Sequence, residues 1–395
     1  MKRCFLLVIT FLSLASAQAF PTDSLQISLL TVEPKADRVY TVYGHTALRL
    51  YDPSQAIDMV LNWGTFDFDA PHFLYRFIRG ETDYSLSYST YEQFLLAYQW
   101  GNKTVIEQVL DLSPEGKEKL LAKLAVNLQP EHWVYRYNFL FDNCTTRVRD
   151  LIEQGSPGLT YPDPAEKTTF RQLIHSCTAS HRWMTFGIDL LIGSGADSLI
   201  SVRQELFLPR RLKDALDRSH RLSKPLVVSS AQVLTAVPEP ASRPALWNSP
   251  LVAGCFLLLI YILIGTIGLR KGRPFTGAFA PLFLMAGAAG CLLAFMAAFS
   301  YHPCVSSNWN LLWLHPLHLV AFVGYCWKRG NPAFIPRMLF WYHAVNFVLL
   351  CGLLLGWHWI PQALHPANIP YILCLAGASG YWVRTIENNE YVGFP

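Results

Sequence analysis

Charged side chains are scarce in this chain. Asp, Glu, Lys and Arg make up 15% of its 395 residues and hydrophobic residues 52%, a balance that argues against a wholly soluble protein. The formal net charge is only +4, and no basic run carries interleaved aromatics, so no nucleic-acid partner is expected. Neither an HExxH motif nor a CxxC pair occurs, and no His/Cys set has metal-ligand spacing. That excludes the common zinc sites, and no metal or cofactor is expected. Internal repeats are absent, and the one biased stretch is the Pro-rich run at residues 238–250.

What is present is unevenly distributed: charges crowd before residue 245 and thin out after it. Lys2 and Arg3, an apolar stretch at 5–14, and Ala15-Ser16-Ala17 or Ala17-Gln18-Ala19 read as a cleavable secretory signal over 1–19. Beyond a linker at 238–249, five apolar segments near 250–269, 278–299, 309–327, 337–357 and 367–383 read as an all-α, five-helix membrane domain. Arg270, Lys271 and Arg273 follow the first segment, Lys328, Arg329 and Arg337 separate the third and fourth, and Arg384 follows the fifth. The other two connections, 300–308 and 358–366, hold no Lys or Arg. The positive-inside rule then makes the 384–395 tail cytoplasmic and puts residues 20–237 across the membrane.

Residues 20–237 read as a mixed α/β (α+β) domain. Strands are expected at 25–32, 46–51, 58–63, 104–112 and 135–141. Ser113-Pro114-Glu115 opens an amphipathic helix to Leu128, and shorter helices are expected at 168–176, 183–192 and 207–219. Of nine cysteines, five fall in the apolar segments and Cys4 in the signal, leaving Cys144, Cys177 and Cys304 for the far compartment. A Cys144–Cys177 disulfide is one reading there. The other starts from Cys144 in the first turn of a helix capped by Asp142 or Asn143 and closed by Gly155, where unpaired N–H groups favour a thiolate.

A thiolate nucleophile needs a base. On a strand through Tyr43-Gly44-His45-Thr46-Ala47-Leu48-Arg49-Leu50, the residues Thr46, Leu48 and Leu50 face one way and His45, Ala47 and Arg49 the other. His45 is therefore the expected base, ahead of His72, His132, His175 and His181, which lack such a frame. Asn62 is the first choice to orient the imidazole and Asp67 the second. Tyr43, Arg49, Asn143 and Arg147 are expected at the substrate, although surface or ion-paired arginines are the simpler reading for Arg49 or Arg147 alone.

A strand histidine followed far downstream by Asn143-Cys144 on a helix resembles the permuted papain-like arrangement of NlpC-type and lecithin–retinol acyltransferase-type enzymes. Four further segments sharpen the likeness: Val42 to Arg49, Trp63-Gly64-Thr65-Phe66-Asp67-Phe68, Tyr137 to Arg147, and Phe186-Gly187-Ile188-Asp189-Leu190-Leu191. They are similar to the periplasmic domain of the Bacteroidetes-type lipoprotein N-acyltransferase (Lnb) family. His302-Pro303 with Asn308-Trp309-Asn310-Leu311-Leu312-Trp313 resembles the membrane domain of the same proteins. The resemblance implies a multi-pass protein of a bacterial inner membrane with a periplasmic thiol-enzyme domain. Its implied reaction moves a fatty acyl chain from a membrane phospholipid, through a Cys144 thioester, to the N-terminal α-amine of diacylated lipoproteins.

In and near the apolar segments lie His302, Asn308, Asn310, His315, His318, His343 and Asn346. Either they hold helices together by hydrogen bonds, or His302, Asn308 and Asn310 complete the substrate site at the outer mouth. Two other functions stay open on the residues alone: a membrane-tethered thiol hydrolase of cell-wall peptides, and a non-enzymatic lipoprotein- or lipid-handling protein.

Overall fold

Residues 22–35, 41–163, 166–238, 245, 247–272, 275–326 and 334–387 are described by the computed structural model. The expected signal at 1–19, most of the linker, Arg273, Lys328, Arg329 and the tail beyond 387 lie outside them. The chain divides into two compact units. The first comprises Met1–Cys177, Leu199–Ala241 and Tyr301–Pro303, the second Thr178–Ser198, Ser242–Ser300 and Cys304–Pro395.

Apolar residues alternating with a period of two build the first unit around a seven-stranded sheet. Its strands are β1 (Gln26–Val32), β2 (His45–Asp52), β3 (Ile57–Thr65), β4 (Asp83–Thr90), β5 (Val105–Leu110), β6 (Val134–Arg136) and β7 (Val227–Leu234). They lie in the order β7-β5-β1-β2-β3-β4-β6, every pair antiparallel. Helices α1 (Phe73–Arg79), α2 (Tyr91–Trp100), α3 (Pro114–Asn127), α4 (Cys144–Gly155) and α5 (Phe170–Thr178) follow in turn. Next along the chain are α6 (Arg182–Leu191), which groups with the second unit, and α7 (Pro209–Asp217).

The pleat sorts side chains to two cores. Leu29, Leu48, Leu61 and Trp63 pack with Leu120 and Leu124 of α3, Val148 and Ile152 of α4, and Leu212 of α7. On the opposite face Leu30, Ala47, Val60 and Val105 pack with Phe94 of α2. Each fully buried large side chain contributes about 1.5–3 kcal/mol, so the α3/α4/α7 face is the thicker, better-anchored one. α3 and α4 cross where glycine meets glycine: a Cβ on Gly116 would collide with the Gly155 carbonyl oxygen, and one on Gly155 would come within 3.1 Å of the Gly116 oxygen.

Two expectations need correction. Residues 137–141 are a turn rather than a strand, because Asn138 exchanges backbone hydrogen bonds with Asp142 (2.9 Å each way) and its side chain accepts from the Leu140 and Phe141 N–H groups. Local side-chain capping here overrides the β-propensity of the run. The segment 309–327 is not one helix: a 3₁₀ turn at Trp309–Leu312 is followed by α10 (His318–Cys326). Pro316 lies between them, and a proline interrupts the helical hydrogen-bond ladder.

The second unit is helical. Besides α6 and α10 it holds α8 (Pro250–Arg270), α9 (Ala280–Phe299), α11 (Phe334–Leu355) and α12 (Asn368–Glu387). Among the described residues, Pro250–Arg270, Gly277–Phe299 and Arg337–Leu355 are long and apolar enough to cross a membrane. Their core joins Phe283, Leu293, Trp313, Leu339, Leu350 and Ile372.

The α3/α4 crossing sets how close the Cys144 helix comes to α3. Gly116→Ala is therefore expected to lower the thermal unfolding midpoint of the detergent-solubilised protein, by about 1–3 kcal/mol of overpacking. An unchanged midpoint would remove this contact as a determinant of helix placement.

Candidate active site

Two asparagines five residues apart place the candidate nucleophile. Asn138 closes the turn just described, and Asn143 caps α4. The Asn143 side-chain oxygen accepts from the N–H of Thr145 (2.8 Å) and Thr146 (2.9 Å), while Thr146 Oγ1 accepts from the Asn143 N–H at 2.8 Å. The other end of the Asn143 amide donates to the carbonyls of Phe139 (2.7 Å) and Phe207 (3.0 Å). The cap is 3% exposed and holds Cys144 at the first helical position, where the helix dipole is positive. It also takes up the next two N–H groups, so the Cys144 N–H is the first-turn donor left over.

β2 and β3 supply the partners. Their register sets Ala47 opposite Asn62, and the His45 Nε2 and Asn62 Oδ1 atoms are 3.2 Å apart, so the imidazole N–H donates to the amide oxygen. The charges of His45 and Cys144 act on each other, which makes the imidazole and the sulfur neighbours. Thr46 Oγ1 and Thr145 Oγ1, 3.1 Å apart, pin β2 to the first turn of α4. Gly64 sits where the β3–β4 register shifts, with φ of 102°. A Cβ there would meet Cys144 Cβ at an ordinary 3.8 Å, so the backbone conformation of the bulge, and not lack of room, calls for glycine.

Charge on this pair is set by competition. Burial pushes the Cys144 thiol up, but the His45 charge, its hydrogen bond and those from Thr46 and Thr145 outweigh that and hold the thiol below its usual value. Burial alone would lower His45, yet the Cys144 charge and the bonds to Cys144 and Asn62 raise it. The opposite shifts favour the ionised thiol and the protonated imidazole together. Cys177 contrasts with it: burial dominates there and raises the thiol. Both cysteines are free, so the disulfide reading of the sequence is not realised.

Sequence reasoning missed the wall of tyrosines around the sulfur. Burial, and then the Cys144 charge, push Tyr84 up to about 12 and raise Tyr98, Tyr135 and Tyr137 as well. Tyr84 and Tyr137 stack at 4.2 Å, and Tyr98 lies over His45 at 6.3 Å. These rings come from β4, α2, β6 and the turn after it; only the alternation of Tyr135 and Tyr137 just ahead of Asn143-Cys144 was a usable signal.

Other expected site residues have different commitments. Asp67 is exposed and accepts from the Asp69 N–H at 2.9 Å. Tyr43 packs edge-on against Phe139 at 4.7 Å. Arg49 forks onto Asp58 (2.8 Å) and Glu107 (3.0 Å) and lies 3.4 Å over the Tyr91 ring. Arg147 forks onto Asp142 (2.6 and 2.8 Å) over the Tyr135 ring. His302, within the first unit, donates from its ring to the Phe77 carbonyl.

In the second unit, Asn308 donates to the carbonyls of Leu190 and Leu191, and Asn310 to that of Asp189. Both therefore satisfy the C-terminal carbonyls of α6. Deeper in that unit, His315 pairs with Asn346, His318 with Tyr342, and Ser379 with both His343 and Asn346. These bonds fit the helix–helix reading of the polar set. Among the described residues no group of His, Cys, Asp or Glu could hold a metal ion.

The geometry gathers Cys144, His45 and Asn62 in an α/β unit, and the second unit holds helices able to cross a membrane. Family comparison matches both parts of the chain. A model of the Lnb N-terminal periplasmic domain matches residues 15–176, and one of the Lnb transmembrane domain matches residues 242–389. The chain belongs to the Lnb family, with a periplasmic N-terminal domain and a transmembrane domain. No curated protein and no solved structure shows significant similarity to it.

Alkylation follows the thiolate fraction, so iodoacetamide is expected to modify Cys144 at pH values below the ordinary thiol range. In His45→Ala only the bonds from Thr46 and Thr145 still oppose burial, and the midpoint is expected to move up. Mass spectrometry of the Cys144 peptide across pH decides this, and coincident profiles would dispose of the ion pair.

Proposed function

We propose that this protein is a lipoprotein N-acyltransferase. It takes a fatty acyl chain from a membrane phospholipid and transfers it, through a Cys144 thioester, to the N-terminal α-amine of diacylated lipoproteins. Membership of the Lnb family supports this type of reaction. In the same reading the ectodomain is a permuted papain-like thiol enzyme, the membrane domain makes five spans, and the C-terminus is cytoplasmic in a bacterial inner membrane.

The observation that carries the reading is the half-buried Cys144 at the capped start of α4 with His45 as its neighbour, the imidazole oriented by Asn62. The thiolate attacks the ester carbonyl of the donor. The Cys144 N–H, left over at the start of α4, supplies a backbone donor for the resulting oxyanion. As the carbonyl re-forms, the C–O bond breaks, and His45 passes its proton to the departing lysophospholipid oxygen. The now neutral imidazole accepts a proton from the lipoprotein amine as it attacks the thioester. An amide C–N bond forms, the C–S bond breaks, and the thiolate–imidazolium pair is restored.

The decisive experiment expresses the wild type and Cys144→Ser in cells lacking lipoprotein N-acylation and weighs a lipoprotein's N-terminal peptide. Triacylation is expected with the wild type only; triacylation by both proteins, or by neither at normal expression, overturns the assignment. Asn62 acts through His45. Asn62→Ala is accordingly expected to cut the acylation rate by about tenfold or more and to shift its pH profile, while Asp67→Asn stays near wild type in the same assay.

A further inference from the structure

We propose that the outer face of α1, together with Phe68, seats the first unit on the surface of a lipid bilayer. α1 reads Phe73-Leu74-Tyr75-Arg76-Phe77-Ile78-Arg79 and has no buried residue. Phe68 is 61% exposed, Leu74 69%, Tyr75 52% and Phe77 47%. The rings form one continuous patch, with centroids 4.5 Å apart for Phe66 and Phe68, 5.2 Å for Phe68 and Phe73, and 6.1 Å for Phe73 and Phe77. A two-turn helix is marginal in water, and a contiguous apolar surface of this kind marks a protein or membrane partner. The two arginines are neutralised at its rim, Arg76 by Asp83 and Arg79 by Glu81. The driving force is therefore apolar burial, with aromatic rings at the depth they favour in a headgroup layer.

Chain continuity selects the bilayer over a protein partner. The Tyr301 N–H donates to the Arg79 carbonyl at 2.8 Å, and the His302 ring donates to the Phe77 carbonyl. Tyr301 follows by two residues the end of Gly277–Phe299, a helix able to cross a membrane. Two residues reach at most about 7 Å, so the C-terminal end of α1 is tied to a chain that has just left such a helix.

A cleft of about 320 Å³ adjoins the patch. It shares Phe66 and Phe73 with the aromatic cluster and Tyr84 with the surroundings of Cys144, and its Thr65 follows Gly64, which faces the Cys144 Cβ. An acyl chain leaving the leaflet at α1 thus has a lined route toward the sulfur. This last link rests on the acyltransferase reading; the seat on lipid does not.

The test places photo-reactive p-benzoylphenylalanine at Leu74 in the full chain, reconstituted in vesicles of phosphatidylethanolamine and phosphatidylglycerol. The control position is Leu222, which is 75% exposed. Irradiation is expected to give phospholipid adducts at Leu74 and none at Leu222. Adducts to protein at Leu74, equal lipid adducts at both positions, or none at either would overturn the proposal. In parallel, Leu74→Glu is expected to slow acylation of Cys144 by vesicle lipid about tenfold while leaving its alkylation by iodoacetamide unchanged. Unchanged acylation would count against the seat. The wild type separates the two readings: lipid adducts without acyl transfer fail the function and keep the seat, and acyl transfer without adducts does the reverse.

Discussion

Burial opposes charge on both Cys144 and His45, and a few neighbouring groups reverse that effect at each. Burial works against ionisation of Cys144 and against protonation of His45. Each is reversed because the other group is there, so neither shift survives alone. The pair needs His45 and Cys144 held together although 98 residues of chain separate them. The β2–β3 register fixes one partner and the cap of α4 fixes the other. Thr46 and Thr145 then join the two halves by a buried hydroxyl contact.

The arginines show the same economy of charge. Arg49 and Arg147 each answer carboxylates in forked geometry and lie over a tyrosine ring. Their positive charge is thereby confined, and the field at Cys144 is set chiefly by His45 rather than by a diffuse basic surface. The tyrosines around the sulfur are kept neutral by burial and then by the charge Cys144 takes on when it ionises. They form a wall that is apolar enough to limit water while their hydroxyls stay protonated.

How much of this was legible in the sequence depended on whether the cause was local. The strands near 25–32, 46–51 and 58–63 alternate cleanly and are present as β1, β2 and β3. A strand histidine with an asparagine on the next strand pointed to the geometry found, because antiparallel register is a short-range consequence of pattern. β4 was not seen: its Tyr84, Leu86 and Tyr88 alternate with serines that read as loop. Nor was α1, whose seven residues carry no 3.6-residue polarity. Residues 137–141 looked like a strand until Asn138 bent them. Asn308 and Asn310 announced burial but not their partners, since the carbonyls they satisfy lie more than a hundred residues away. A polar residue in an apolar segment states its depth, not its contact.

The two asparagine-closed turns flanking Cys144 use only residues 138–146 and the Phe207 carbonyl. Such short-range contacts can form early, whereas the imidazole must arrive from a distant strand. Until β2 docks, the sulfur has a helix dipole but no cation beside it, and so remains close to an ordinary thiol. The lowering of the thiol is then a late product of folding. A chain emerging into an oxidising compartment would carry a comparatively inert cysteine until the sheet that guards it is complete.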